Sequence, residues 1–154
     1  QGLMTHLLAL PISLSAIMLC LSDFKFRYVS LNCLLAYIVS AALYGVASYG
    51  IRLMLAYAII GSGLSIIMFG LICVYFRLKE GQGCKVVDTK IGQGDLYFYL
   101  ASSLAFEPAV LLMLYVVSGL TGLIYHCVSR KDSIPLIGMS VPWVLLYIII
   151  QMFI

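Results

Sequence analysis

Three features of the sequence predict an all-α, polytopic membrane protein with six transmembrane helices, the fourth of them short. The chain is 64% hydrophobic and only 10% charged over 154 residues, and its mean hydropathy is +1.12, far more apolar than a soluble domain that must clothe itself in polar groups. Its charges gather in short clusters (Asp23, Lys25 and Arg27; Arg77 to Asp95; Arg130 to Asp132) and almost vanish between them, the pattern of a chain whose main solvent is lipid. The apolar stretches between the clusters are close to the ~20 residues a helix needs to cross hydrocarbon.

Five long runs stand out in order: 3–21, 29–50, 53–76, 109–128 and 134–154. The first lacks both a basic leader region and a small-x-small cleavage pattern, so it is expected to be a retained span. The piece at 96–106 needs separate treatment. From Leu96 to Val128 a single helix would reach about 50 Å at 1.5 Å per residue, too long for one crossing and too short for two full ones. Glu107-Pro108 divides it, because proline disfavours helix at the residue before it and is tolerated in the first turn of the next helix.

Basic residues give the orientation. If 96–106 and 109–128 enter and return, Lys25, Arg27, Arg77, Lys79, Lys85, Lys90, Arg130 and Lys131 share one side and Arg52 stands alone on the other, eight against one. A single crossing over 96–128 would move Arg130 and Lys131 across and leave six against three. The stronger bias puts the amino terminus outside and three segments, 22–28, 77–95 and 129–133, on the cytoplasmic side. All of 1–154 reads as one membrane-embedded domain. Two complete spans lie between Asp23 and Asp95, so both carboxylates return to the same face at similar depth.

Other chemistry is not indicated. The five cysteines (Cys20, Cys33, Cys73, Cys84, Cys127) have no CxxC spacing, and His6 and His126 lack ligand-like neighbours, so neither a disulfide framework nor a metal site is expected. The net charge of +3 sits at the ends of apolar runs and is not interleaved with exposed aromatics along a strand or groove, so it does not suggest nucleic acid. No cofactor is called for. The glycines of 61–63, Gly70, Gly119 and Gly122 read as close-packing faces.

The sharpest local feature is Gly92-Gln93-Gly94-Asp95 before the short helix. Its glycines allow positive φ and close backbone approach, and its aspartate stands where a helix start welcomes a carboxylate. Taken alone, Asp95 is equally well an N-cap, and Asp23 an interfacial charge paired with Lys25 or Arg27.

The combination of Asp23 ending the first span, GxGD before a short fourth span and six helices in all resembles the type IV prepilin peptidases, bacterial GxGD membrane aspartyl proteases. The resemblance runs through most of the chain: Asp23, Arg27 and Val29 match the family's stretch around its first aspartate, Gly92, Gly94 and Asp95 its second, and Ile134-Pro135 the pair that begins its last span. Ser30 and Leu31, Tyr97, and 136–138 depart from the family's usual residues. The resemblance implies Asp23 and Asp95 as the catalytic pair, with Gly92, Gly94, Arg27, Ile134 and Pro135 in support. It implies a leader peptidase of the bacterial inner membrane, with a cytoplasm-facing site. The partner would be a type IV pilin or pseudopilin precursor, cut after its short basic leader. Long family members carry a zinc-binding insert and methylate the new terminus; without paired CxxC motifs here, only peptidase activity is expected. The rival expectations are a non-catalytic membrane subunit, such as a small channel or transporter component, and a scaffold that binds pilins without cutting them.

Overall fold

The computed structural model describes residues 2–26, 29–80, 92–129 and 136–153, and every element in them is helical. In chain order these are α1 (Gly2–Phe26), α2 (Leu31–Glu80), α3 (Gln93–Ala105), α4 (Pro108–Ser129) and α5 (Leu136–Phe153). Four of the five, all but α3, are long and apolar enough to cross a membrane. The protein is therefore a helical, membrane-embedded one.

The expected six spans are not what the described helices contain. Helix α3 has 13 residues, about 20 Å at the α-helical rise, short of a hydrocarbon crossing. The runs at 29–50 and 53–76 belong to one 50-residue stretch, α2, interrupted at Gly50 by φ 77 and ψ 159, a conformation essentially confined to glycine. This break turns the chain back on itself. The rings of Tyr49 and Tyr57 meet edge to face at 5.3 Å, although eight helical residues would separate them by about 12 Å. Neighbouring residues of α3 then touch both arms: Phe98 stacks on Tyr37 at 5.0 Å and Tyr99 packs against Phe69 at 6.1 Å. Helix α3 thus lies against both arms, 31–49 and 51–80.

The bundle is apolar outside and partly polar inside. Large hydrophobics such as Leu7, Leu10, Leu14, Ile59 and Leu123 are exposed, while Ser15, Ser40, Ser65, Ser102, Ser103, Ser118 and Ser140 are buried. Burying Leu against lipid-like tails gains little, so helices in a bilayer associate by close packing and interhelical hydrogen bonds worth about 0.6–2 kcal/mol each. The serines make these bonds: Ser15 with Ser40 at 3.0 Å, Tyr37 with Ser102 at 2.9 Å, and Ser62 with Ser103 at 3.3 Å.

Helix α1 carries its inward stripe on Ala9, Ile12, Ala16 and Leu19, then on Asp23, at steps of three and four that keep one face inward. The helix runs on to Phe26, past the boundary at 21 expected from hydropathy. Asp23 is therefore a helical residue in phase with the core, not a charge in a flanking loop. The predicted break at Glu107-Pro108 coincides with the start of α4, where Phe106 is extended at φ −125 and ψ 150 and caps α3 by donating its N–H to the Ser102 carbonyl.

Glycine is required where α2 meets α3. A Cβ on Gly45 would strike the Leu104 carbonyl oxygen and crowd Met54, whereas one on Gly63 would meet nothing. Gly45→Ala is expected to lower the thermal unfolding midpoint in detergent, at a cost of about 1–3 kcal/mol. Gly63→Ala, replacing an unhindered helical glycine, should hold or raise that midpoint.

Candidate active site

Three helix ends converge at one place. Asp23, near the carboxyl end of α1, is 8% exposed, and Asp95, in the first turn of α3, is 9% exposed. The Asp23 carboxylate accepts the backbone N–H of Gly138 at 2.9 Å. The Asp95 carboxylate accepts backbone N–H bonds from Gly92 and Ile137, and it lies close enough to Asp23 to feel that charge. The two carboxylates thus hang from consecutive amides at the amino end of α5. N–H groups in a helix's first turn have no partner within the helix, and the helix dipole favours negative charge there.

Asp95 is not the N-cap. Gly92 holds that position, which makes Asp95 the third helical residue, and its side chain reaches back to the capping residue's N–H as the carboxylate of a capping box does. Its own N–H donates to the Gly92 carbonyl at 3.1 Å. Gly92 has φ −69 and ψ 137, ordinary extended backbone, and among the described residues Gly50 is the positive-φ glycine. The expectation of left-handed backbone in the GxGD stretch is thus overturned for Gly92, and Gly94 is helical. Close approach is what the motif needs: a Cβ on Gly94 would collide with the Val29 side chain, and one on Gly92 would sit 3.3 Å from the Asp95 carboxylate.

Gly138 repeats the device on the other side. A Cβ there would run into the Phe24 ring, so only glycine lets α5 come close enough to present its amide to Asp23. The Cys20 thiol, one turn before Asp23, points at the Gly138 carbonyl at 3.8 Å. The amides of Ile137 and Gly138 were not anticipated from sequence, because backbone donors carry no residue signature. Of the anticipated residues, Asp23, Asp95, Gly92 and Gly94 come together, whereas Arg27, Ile134 and Pro135 lie outside the described residues. Glu107 stands at the opposite end of α3, beside Tyr49. No group of three or more His, Cys, Asp or Glu suited to a metal occurs among the described residues.

The electrostatics follow from crowding. Asp95 precedes the apolar stretch 96–106 and lies outside the four long spans. Burial first, and the Asp23 charge second, push its carboxyl up to about 7, against the opposing pull of the Gly92 and Ile137 amides. Two carboxylates this close cannot both ionise cheaply in a desolvated site, so near neutrality they share a single proton. The arrangement can hold one ionised and one protonated carboxyl side by side, the complement that acid–base chemistry on a bound water requires.

Comparison with protein-family models, with curated proteins and with solved structures found no match to this chain.

The raised Asp95 carboxyl sets a direction for stability. The folded protein keeps a proton there up to about pH 7, while the unfolded chain releases it near the ordinary value of 3.8. Stability from this group is therefore full below about pH 4, falls as pH rises toward 7 and is level above. Wild-type protein should melt at a higher temperature at pH 5 than at pH 8, and Asp95→Asn should remove most of the difference. An undiminished difference in that variant would contradict the assignment.

Proposed function

We propose that this protein is an intramembrane aspartyl endopeptidase that uses Asp23 and Asp95 to activate one water against a peptide bond. The observation that carries the reading is the convergence of two buried carboxylates, from separate helices, on consecutive amides of α5. Asp95 is the member that keeps the proton and donates it to the scissile carbonyl; Asp23 is the ionised member that takes a proton from water. The roles exchange as the tetrahedral intermediate collapses, and the leaving amine carries away the proton Asp23 received.

In this reading the amino terminus lies outside the inner membrane and the two arms of α2 each cross it once. The short helix α3 enters from the cytoplasmic side, and the carboxylate pair stands at the cytoplasmic rim, where water reaches it. The resemblance in Asp23, Arg27, Val29, Gly92, Gly94, Asp95, Ile134 and Pro135 supports a type IV pilin-like or pseudopilin precursor as substrate, cut between its basic leader and its apolar helix. Close packing of that apolar helix, more than charge attraction, would hold it, since the surrounding loops are basic like the leader. The second reading, a proton-handling membrane subunit without peptidase activity, is favoured by the same shared proton.

Purified protein given a pilin-like precursor in detergent or liposomes separates the two. Asp23→Asn and Asp95→Asn should each slow cleavage by at least about a hundredfold, the scale of losing a general acid or base, with helicity and melting retained. The wild-type rate should fall as pH rises through about 7, where Asp95 gives up its proton. A wild-type protein that never cleaves such precursors, or that cleaves equally well without either carboxylate, would end the peptidase reading.

A further inference from the structure

One turn beyond Asp95, on the same face of α3, Tyr99 is fully buried. Its ring stacks on Tyr115 of α4 with centroids 4.2 Å apart. Its hydroxyl lies 2.6 Å from Ser118 Oγ on α4 and 2.7 Å from Ser140 Oγ on α5, and so ties three helices at one atom.

Proton counting gives these contacts an order. Ser118 is placed to donate to the Tyr115 carbonyl at 3.2 Å, and Ser140 to the Leu136 carbonyl at 2.8 Å. Each hydroxyl has one hydrogen, so the Tyr99 oxygen can bond to both serines only if one of them turns its hydrogen from its carbonyl to Tyr99. The longer and weaker bond, from Ser118, is the one to yield. The chain then runs from Ser118 to Tyr99, from Tyr99 to Ser140, and from Ser140 to the Leu136 carbonyl. That carbonyl belongs to the same peptide group as the Ile137 N–H, which donates to Asp95.

We propose that Tyr99 is a positioning residue for the carboxylate pair: through Ser140 its hydroxyl orients and polarises the 136–137 peptide group that holds Asp95. Each donor in such a chain strengthens the next acceptor's own donation, so the Ile137 N–H binds the Asp95 carboxylate more firmly than an isolated amide would. The proposal rests on the peptidase reading only for its effect on cleavage. Among the described residues, Cys20 on α1 faces Asp23, Asp23 and Tyr99 face Asp95, and Tyr115 on α4 and Tyr37 on the first arm of α2 lie near Tyr99. The start of α5 offers backbone amides.

The test reads Asp95 directly, without substrate. In full-length protein in detergent, the infrared carbonyl band of a protonated carboxyl is followed against pH and assigned to Asp95 by its loss in Asp95→Asn. Tyr99→Phe keeps the stacked ring and removes the hydroxyl, which weakens the amide's hold on the ionised form; the midpoint should move up by about half a pH unit, the worth of part of one hydrogen bond. Ser140→Ala should move it the same way. A midpoint unmoved or lowered in folded Tyr99→Phe overturns the proposal. If that variant does not fold, an unmoved or lowered midpoint in Ser140→Ala overturns it instead. An upward shift in a protein that cleaves no precursor supports the role of Tyr99 and removes the peptidase reading alone.

Discussion

Everything at the carboxylate pair depends on the amino end of α5. Two buried aspartates side by side are unfavourable, because each carboxylate loses its hydration and faces a like charge. The amides of Ile137 and Gly138 supply fixed donors in place of water, and the helix dipole adds a favourable field at the same point. Without them, one carboxylate would be buried without a partner or the helices would part. The site is thus a property of three helix ends together: α1 brings Asp23 on its inward stripe, α3 turns Asp95 back onto its own cap, and α5 holds both.

Small residues make that meeting possible. Gly94 admits Val29 and Gly138 admits Phe24, so the helix ends approach closely enough for backbone donors to reach side-chain acceptors. Farther from the site, the bundle is held by hydroxyl pairs and stacked rings, which suits a solvent that gives no reward for burying one more leucine. The turn at Gly50 serves the same end at larger scale, because it folds α2 into two arms that both pack on α3. Asp95 therefore starts from a helix supported along its length.

Much of the architecture was legible in the sequence because membrane physics leaves coarse marks. Apolar runs located the long helices, and Glu107-Pro108 placed the boundary between α3 and α4. Counting crossings between Asp23 and Asp95 anticipated that the two would face each other. What hydropathy could not register was phase. Asp23 follows Ala9, Ile12, Ala16 and Leu19 at helical spacing, a signal present in the sequence but hidden when residue 21 is taken as the end of the helix. From sequence Asp95 reads equally well as a cap because a carboxylate suits several positions of a first turn, and only backbone geometry separates the capping residue from the third one. The gap between the runs at 29–50 and 53–76 falls at the non-helical break of Gly50. The amides of α5 were invisible because every residue but proline has one.

The claim on which the account stands is that Asp23 and Asp95 are neighbours in the folded protein in its membrane. Disulfide crosslinking tests it most directly, with Asp23→Cys and Asp95→Cys combined in a variant freed of its native cysteines, and with Ser62→Cys and Ser103→Cys, whose hydroxyls lie 3.3 Å apart across the same two halves, as the positive control. After copper-catalysed oxidation in native membranes and proteolytic cleavage engineered between 81 and 91, the two halves should stay joined until a reductant is added. Halves that separate without reductant, while the control pair remains linked, would contradict the account.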